Sequence, residues 1–192
     1  DISKKTNMYP RLTARIIEKS VAAFRYLPYK FSINLSVEDI FDSDTMDYLF
    51  TVAKNNGVLG RLVLEIVESD ELVSIEETNK IFEKFKNAGA KIAIDDFGTG
   101  FSNFDYIMNI KADYLKIDAS IVKRVTFDEA SREIISSIVY LARHSGMKTV
   151  AEFIADEETA RVIKSLGVDF GQGYFFGKPE PKPVFINIEP PI

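Results

Sequence analysis

A repeated change of hydrophobic period constrains this chain more than any other feature. Short apolar runs of strand length occupy residues 31–35, 62–67, 91–95, 114–118 and 148–152. A sixth covers 168–170 and is expected to continue past Gly173 into Tyr174-Phe175-Phe176. Amphipathic stretches with readable ends lie between them. Ser74 and Glu77 form a capping-box pattern ahead of Ile81, Phe82 and Phe85, and Gly89 stands where a left-handed cap belongs. Asp128 precedes Ile134, Ile135, Ile138 and Leu141 at helical spacing, and this segment stops at Gly146. Asp156 opens a helix that closes at Gly167, and Asn55-Asn56-Gly57 ends one that begins near Ser43.

Strands alternating with helices predict βαβ units and a parallel sheet. The strands share an asymmetry: Asn34, Glu65, Asp95, Lys116 and Glu152 each lie at or near the C-terminal end of an apolar run. A closed parallel barrel gathers those ends on one rim, whereas an open doubly wound sheet brings together only the ends near its switch point. Polar groups on five strands therefore predict an α/β fold of the TIM-like (β/α) barrel type. Six strands are fewer than the eight of an ordinary barrel, and the first element, a helix over residues 10–26, has no strand before it. The expectation is a single domain over 1–192 whose barrel is incomplete at the N-terminus.

Charge and composition narrow the function. With 24 Lys+Arg against 29 Asp+Glu, the net charge of −5 argues against binding duplex nucleic acid by counterion release. No apolar run approaches the roughly 20 residues that cross a bilayer, so no membrane contact is expected from this segment. The residues after Asp1 have no signal-peptide layout, and the chain has no cysteine, which fits a cytoplasmic setting. His144 is the only histidine. Any metal ion would therefore be hard and held by oxygen.

Asp95-Asp96-Phe97-Gly98-Thr99-Gly100 is the most informative segment. Adjacent acids after an apolar strand repel each other unless a cation or proton lies between them. Adjacent strand side chains diverge, so a turn at Asp96 is needed to bring both to one place. The bland alternative is a strand end with two solvated acids. Glu65 either reaches a metal at the rim or is a surface acid, with Glu68 on the loop that follows. Asn34 either lends its carbonyl oxygen to a cation or caps a turn. Lys116 either pairs with Asp118 or points to the rim, where it would orient water or neutralise a phosphate. Gln172, between Gly171 and Gly173, stands where backbone can approach a ligand closely. His144, in the last turn of its helix, suits a cap or dipole role better than catalysis. Acids, an amide and a lysine on one rim are what a two-metal phosphodiesterase needs.

The runs Phe31-Ser32-Ile33-Asn34-Leu35-Ser36, Leu64-Glu65-Ile66-Val67-Glu68-Ser69 and Ile94 through Ser102, followed by Asp113-Tyr114-Leu115-Lys116-Ile117-Asp118, Val150-Ala151-Glu152 and Gln172-Gly173-Tyr174, resemble the EAL domain family in order and spacing. The resemblance implies hydrolysis of cyclic di-GMP to linear pGpG, supported by Mg²⁺ or Mn²⁺ and typically inhibited by Ca²⁺. Asn34, Glu65 and Asp95 would bind a first metal, and Asp95, Asp96 and Glu152 a second. Lys116 would contact the attacking water or the phosphate, and Gln172, Ser102 and Pro179 would contact substrate. Glu68 would hold the loop after Asp96 and couple it to a homodimer. An N-terminal sensor or GGDEF domain, and a membrane anchor upstream, would belong to the parent protein. This chain also departs from the family. The Glu-Ala-Leu motif, whose glutamate is a first-metal ligand, is absent, and Asp1 is read as beginning just downstream of it. Turnover by residues 1–192 is accordingly expected to be lower than that of a longer chain. Phe153-Ile154-Ala155 replaces the usual Gly-Val-Glu after the glutamate, removing a carboxylate, and Asp39 replaces a common glutamine. These departures also admit a degenerate domain that binds cyclic di-GMP or a protein partner without catalysis.

Overall fold

The computed structural model describes residues 9–67, 74–98 and 104–181. In chain order these form α1 (Tyr9–Phe24), β1 (Phe31–Leu35), α2 (Val37–Phe41), α3 (Ser43–Asn55), β2 (Leu62–Val67), α4 (Ile75–Asn87), β3 (Lys91–Phe97) and α5 (Phe104–Asn109), then β4 (Tyr114–Ile117), α6 (Ala119–Val122), α7 (Glu129–His144), β5 (Lys148–Ala151), α8 (Glu157–Ser165) and β6 (Phe170–Gly171). Every strand pairs parallel with the next, and their order across the sheet is their order in the chain. A doubly wound sheet would reverse direction at a switch point, and this one does not. Right-handed crossovers that always step the same way put the helices on one face and leave the other to curl inward. The result is the wall of a TIM-like (β/α) barrel. No described helix is long and apolar enough to cross a membrane.

Period-two alternation sorts the side chains between the two faces. Ile33, Leu35, Leu64, Ile66, Ile92, Ile94, Leu115 and Ile117 are buried against the helix layer with Ile17, Leu49, Phe82, Phe85 and Ile135. Each such side chain contributes about 1.5–3 kcal/mol through burial. The opposite, concave face surrounds a cavity of about 280 Å³, whose lining includes Ser32, Val63, Glu65, Ala93, Lys116 and Val150.

Helix ends follow local chemistry. Ser74 accepts from the Glu77 N–H at 3.2 Å and Asp156 from the Thr159 N–H at 2.8 Å. Asp128 precedes α7, and its carboxylate accepts from Ser131 Oγ at 2.7 Å and from Arg124. Asp39 completes a capping box with Ser36 and accepts from Thr13 Oγ1 at 3.0 Å, so it has a structural task at the start of α2.

β4 and β5 each end one residue before the expected limit, α1 ends two residues early, and two further boundaries differ for reasons the structure shows. β3 runs on through Phe97, with Ile94 opposite Leu115 but Phe97 opposite Ile117, so one extra residue is accommodated as a bulge. β6 is only two residues long, and Tyr174–Phe176 is a turn in which the Phe176 N–H donates to Gly173 O at 3.1 Å. A Cβ on Gly173 would lie 2.2 Å from the Ile154 carbonyl oxygen. That close backbone approach draws the chain out of the sheet.

Two aspartates secure the opposite end of the sheet. Asp113, just before β4, accepts from the Ile92 N–H of β3 at 3.0 Å, and Asp169, just before β6, accepts from the Thr149 N–H of β5 at 2.9 Å. Asp113 also pairs with Lys91 at 2.8 Å and Lys86 at 3.0 Å. Burial pushes the Asp113 carboxyl up, but Lys91, Lys86 and the Ile92 N–H outweigh it and hold it below the usual range. Its stabilisation is therefore present above the unfolded carboxylate pKa and lost as pH falls through the lower folded value. Asp113→Ala should cost about 2 kcal/mol in urea unfolding at pH 7. The difference from wild type should narrow below about pH 4, and a gap independent of pH would contradict the ion-pair contribution.

Candidate active site

The C-terminal ends of the strands carry the site. Register places Asn34 of β1 opposite Glu65 of β2, so both side chains lie on the concave face. Asn34 is exposed there and caps no helix, since Ser36 performs that task for α2. The bulge in β3 solves the problem of adjacent acids. Asp96 takes a left-handed conformation at φ 57°, which aspartate tolerates better than most residues. With that turn, Ile94 and Phe97 both face the helix layer and the intervening pair Asp95 and Asp96 is left for the rim. The Asp96 N–H donates to Asp95 Oδ1 at 2.9 Å, fixing that carboxylate. Glu152 immediately follows β5, and its N–H donates to Ile117 O at 3.1 Å, which ties it to the end of β4.

Lys116 rises from β4 into the middle of this group. Its Nζ lies 3.1 Å from Glu65 Oε2, 2.8 Å from Asp95 Oδ1 and 2.8 Å from Glu152 Oε1. It is 5% exposed. Burial alone would lower its pKa, but the carboxylates of Glu65, Asp95 and Glu152 prevail and the net shift is upward. Asp118 does not pair with it; that carboxylate caps α6 through the Ser120 N–H at 2.7 Å.

One ammonium does not satisfy all the negative charge. Ligand oxygens of Asp95, Asp96 and Glu152 all lie within 4.8 Å of one another. Burial raises the Asp96 pKa, with Asp95 and Asp118 adding to the rise. Burial raises Glu152 as well, against the pull of Lys116. A crowded, partly desolvated set of carboxylate oxygens suits a hard divalent cation, and the absence of cysteine and of any rim histidine leaves oxygen donors alone. His144 sits away from the rim at the end of α7, with its Nδ1 2.9 Å from Tyr140 O.

Gln172, just past β6, lines both the concave cavity and a second cavity of about 210 Å³ bounded by Glu152, Phe153, Ala155 and Tyr174. Pro179 is exposed and lines neither cavity. Glu68 and Ser102 lie outside the described residues. The sequence reading missed Phe153 and Tyr174 as cavity walls. Phe153 follows Glu152 directly and has φ 56°, a conformation that costs a bulky residue on the order of 1–3 kcal/mol. The substitution of phenylalanine where the family usually has glycine was the available signal.

The EAL domain family model matches residues 1–179. Cyclic di-GMP phosphodiesterase PdeF of Escherichia coli (strain K12) is 35% identical over 84% of this chain and 22% of its own length. Cyclic di-GMP phosphodiesterase PdeA of Borreliella burgdorferi is 34% identical over 92% of this chain and 27% of its own. The chain thus spans about a quarter of the length of these curated relatives. Among solved structures, the EAL enzyme Bd1971 in its cAMP- and cyclic-di-GMP-bound form has a TM-score of 0.85 at 29% identity, covering 93% of this chain and 51% of that one. The PaMucR phosphodiesterase in complex with c-di-GMP has a TM-score of 0.84 at 26% identity, covering 94% and 76%.

Lys116 is the internal cation of this cluster. Lys116→Met should therefore destabilise the protein in EDTA by about 3 kcal/mol, the scale of a broken buried pair. In a thermal melt that corresponds to a drop of roughly 10 °C. Mn²⁺ should recover a larger share of stability in the variant than in wild type. An unchanged melting point in EDTA would show that the lysine does not balance the carboxylates.

Proposed function

The chain belongs to the EAL domain family, and on that premise we propose that it hydrolyses one phosphodiester bond of cyclic di-GMP, giving linear pGpG, with Mg²⁺ or Mn²⁺ bound. The observation that carries this reading is the convergence of Asp95, Asp96 and Glu152 within 4.8 Å beside a buried lysine. Asp95, Asp96 and Glu152 would hold one ion, and Asn34, Glu65 and Asp95 another, with Asp95 shared. Such a pair of ions supplies a nucleophile at neutral pH and stabilises charge on the attacking and leaving oxygens.

The remaining work belongs to the chain's own residues. Lys116 stands 2.8 Å from both Asp95 and Glu152. From there its ammonium orients the attacking water and offsets the phosphate charge as it increases. Gln172, on the wall shared by the two cavities, steadies the substrate on the far side of Glu152. By the family resemblance Ser102 and Pro179 would contact the substrate and Glu68 would couple the loop after Asp96 to a homodimer, although Pro179 lines neither of the two cavities. The curated relatives that bear the phosphodiesterase name are several times longer, which leaves room in a parent protein for an N-terminal sensor or GGDEF domain.

A second reading has its own observation. Ala155 borders the cavity beside Glu152, where the family usually places a carboxylate. A domain lacking that oxygen donor would bind cyclic di-GMP without cleaving it. The full-length protein incubated with cyclic di-GMP and Mn²⁺, with pGpG followed by chromatography, distinguishes the two. Asp95→Ala should remove hydrolysis by roughly 10³-fold or more, the loss expected when several kcal/mol of charge stabilisation disappear, while the far-UV spectrum stays that of a folded protein. Undiminished turnover would contradict the shared-ligand role, and binding with no product in wild type would select the second reading.

A further inference from the structure

The end of the sheet opposite the catalytic rim carries an unbalanced charge. Each strand is entered through a helix-to-strand connection, and every connection, from the last helical turn to the first strand residue, brings lysine or arginine. Arg25 lies ahead of β1, Lys54 ahead of β2, Lys86 ahead of β3, Lys111 ahead of β4, Lys148 at the start of β5 and Lys164 ahead of β6. The acids in the same stretches are Asp113 and Asp169, and both already accept a strand N–H. Helix macrodipoles account for Lys54, Lys86 and Lys164, which sit in last turns. Lys30, Lys111 and Lys148 stand past the helix ends, where that attraction has faded. All three are exposed, as is Arg25, and among the described residues none of the four pairs with an acid. Like charges gathered on one face repel each other and lower stability, so folding alone gives no reason to leave them uncompensated.

Exposed rings share this end with the cations. Tyr26 is 84% exposed and has the Arg25 guanidinium 4.9 Å from its ring centre. Phe170 is 47% exposed, with Lys148 Nζ 5.4 Å from its centre and the Tyr114 ring edge to face at 6.1 Å. Lys30 Nζ donates to Tyr114 Oη at 2.8 Å. Rings and long basic side chains at one level suit a lipid headgroup layer, where stems and rings reach the apolar boundary and the charged heads stay with the phosphates. An acidic protein would need carboxylates at matching positions. Cations spread over all six connections fit a diffuse, planar negative charge without any matched spacing.

We propose that this end of the barrel is a docking surface for an anionic lipid bilayer, with Arg25, Lys30, Lys111 and Lys148 at headgroup level and Tyr26 and Phe170 among them. No described helix is able to span a bilayer, and surface docking requires none. Because every strand runs the same way, this orientation turns the strand ends that carry Asp95, Asp96 and Glu152 away from the lipid and toward solution. The surface uses residues outside the acidic cluster and does not depend on the reaction proposed for it.

The test is co-sedimentation of the full-length protein with neutral phosphatidylcholine vesicles and with vesicles containing about 30% phosphatidylglycerol. Wild type should bind the anionic vesicles roughly tenfold or more tightly than the neutral ones, and this preference should shrink as salt rises from about 0.1 to about 0.5 M. Each basic residue contributes roughly fivefold at such a surface, so the triple variant Arg25→Gln, Lys111→Gln, Lys148→Gln should lower the preference at least about tenfold. Its melting temperature and Mn²⁺ affinity should match wild type. The charge-conserving set Arg25→Lys, Lys111→Arg, Lys148→Arg should keep the preference within about threefold, and its loss there would overturn a charge-based surface. An equal preference in wild type and the glutamine variant would overturn the docking surface, whatever other segment held both to lipid. Displacement by inorganic phosphate at constant ionic strength would also overturn it, by showing a discrete anion site. Capture of wild type by immobilised polyglutamate, with binding to neither vesicle, would overturn it in favour of an acidic protein partner.

Discussion

The ammonium of Lys116 is the interaction on which the rim depends. It is buried between carboxylates from β2, from β3 and from the residue after β5, so one side chain bridges three strand ends. Three acids brought this close without a cation would separate or take up protons. With the lysine at their centre they remain gathered, and the oxygens of Asp95, Asp96 and Glu152 still face one another. The same arrangement balances charge before any ion arrives and leaves a set of donors that one lysine cannot saturate.

That convergence follows from topology. Parallel strands laid down in chain order, each returning through a helix on the same side, must present all their C-terminal ends in one direction. Residues as far apart as Glu65 and Glu152 meet at Lys116 because each lies at or near the C-terminal end of an apolar run. The opposite ends are secured by Asp113 and Asp169, which accept backbone N–H groups of the preceding strand. One end of the sheet uses acids as acceptors for backbone N–H groups, and the other gathers Glu65, Asp95 and Glu152 around Lys116.

Much of this was legible in the sequence, for definable reasons. Period-two runs flanked by capped helical segments identify the strands, and a polar residue recurring at run ends identifies the rim without any knowledge of contacts. Local hydrogen-bonding chemistry gave the caps at Ser74 and Asp156. Other features required three dimensions. The choice between Asp118 and the rim as the partner of Lys116 depends on α6, whose N-terminus claims Asp118. The short β6 depends on backbone contact between Gly173 and Ile154, which no periodicity encodes. Asp39, conspicuous as a departure from the family, serves a capping box, a role set by its third position in α2.

The two left-handed non-glycine residues among those described, Asp96 and Phe153, both adjoin an acid of the cluster, Asp95 and Glu152. At Asp96 the backbone cost has a direct return, because the bulge turns a strand's divergent neighbours into convergent ones. At Phe153 the same conformation reverses the chain after Glu152 and lets Ile154 enter the core against Gly171 and Gly173. The turn is therefore required by packing, but the ring at its apex is not, since glycine would turn more easily. The exposed ring instead carries the Lys123 ammonium 4.1 Å from its centre, beside the same glutamate that Lys116 holds.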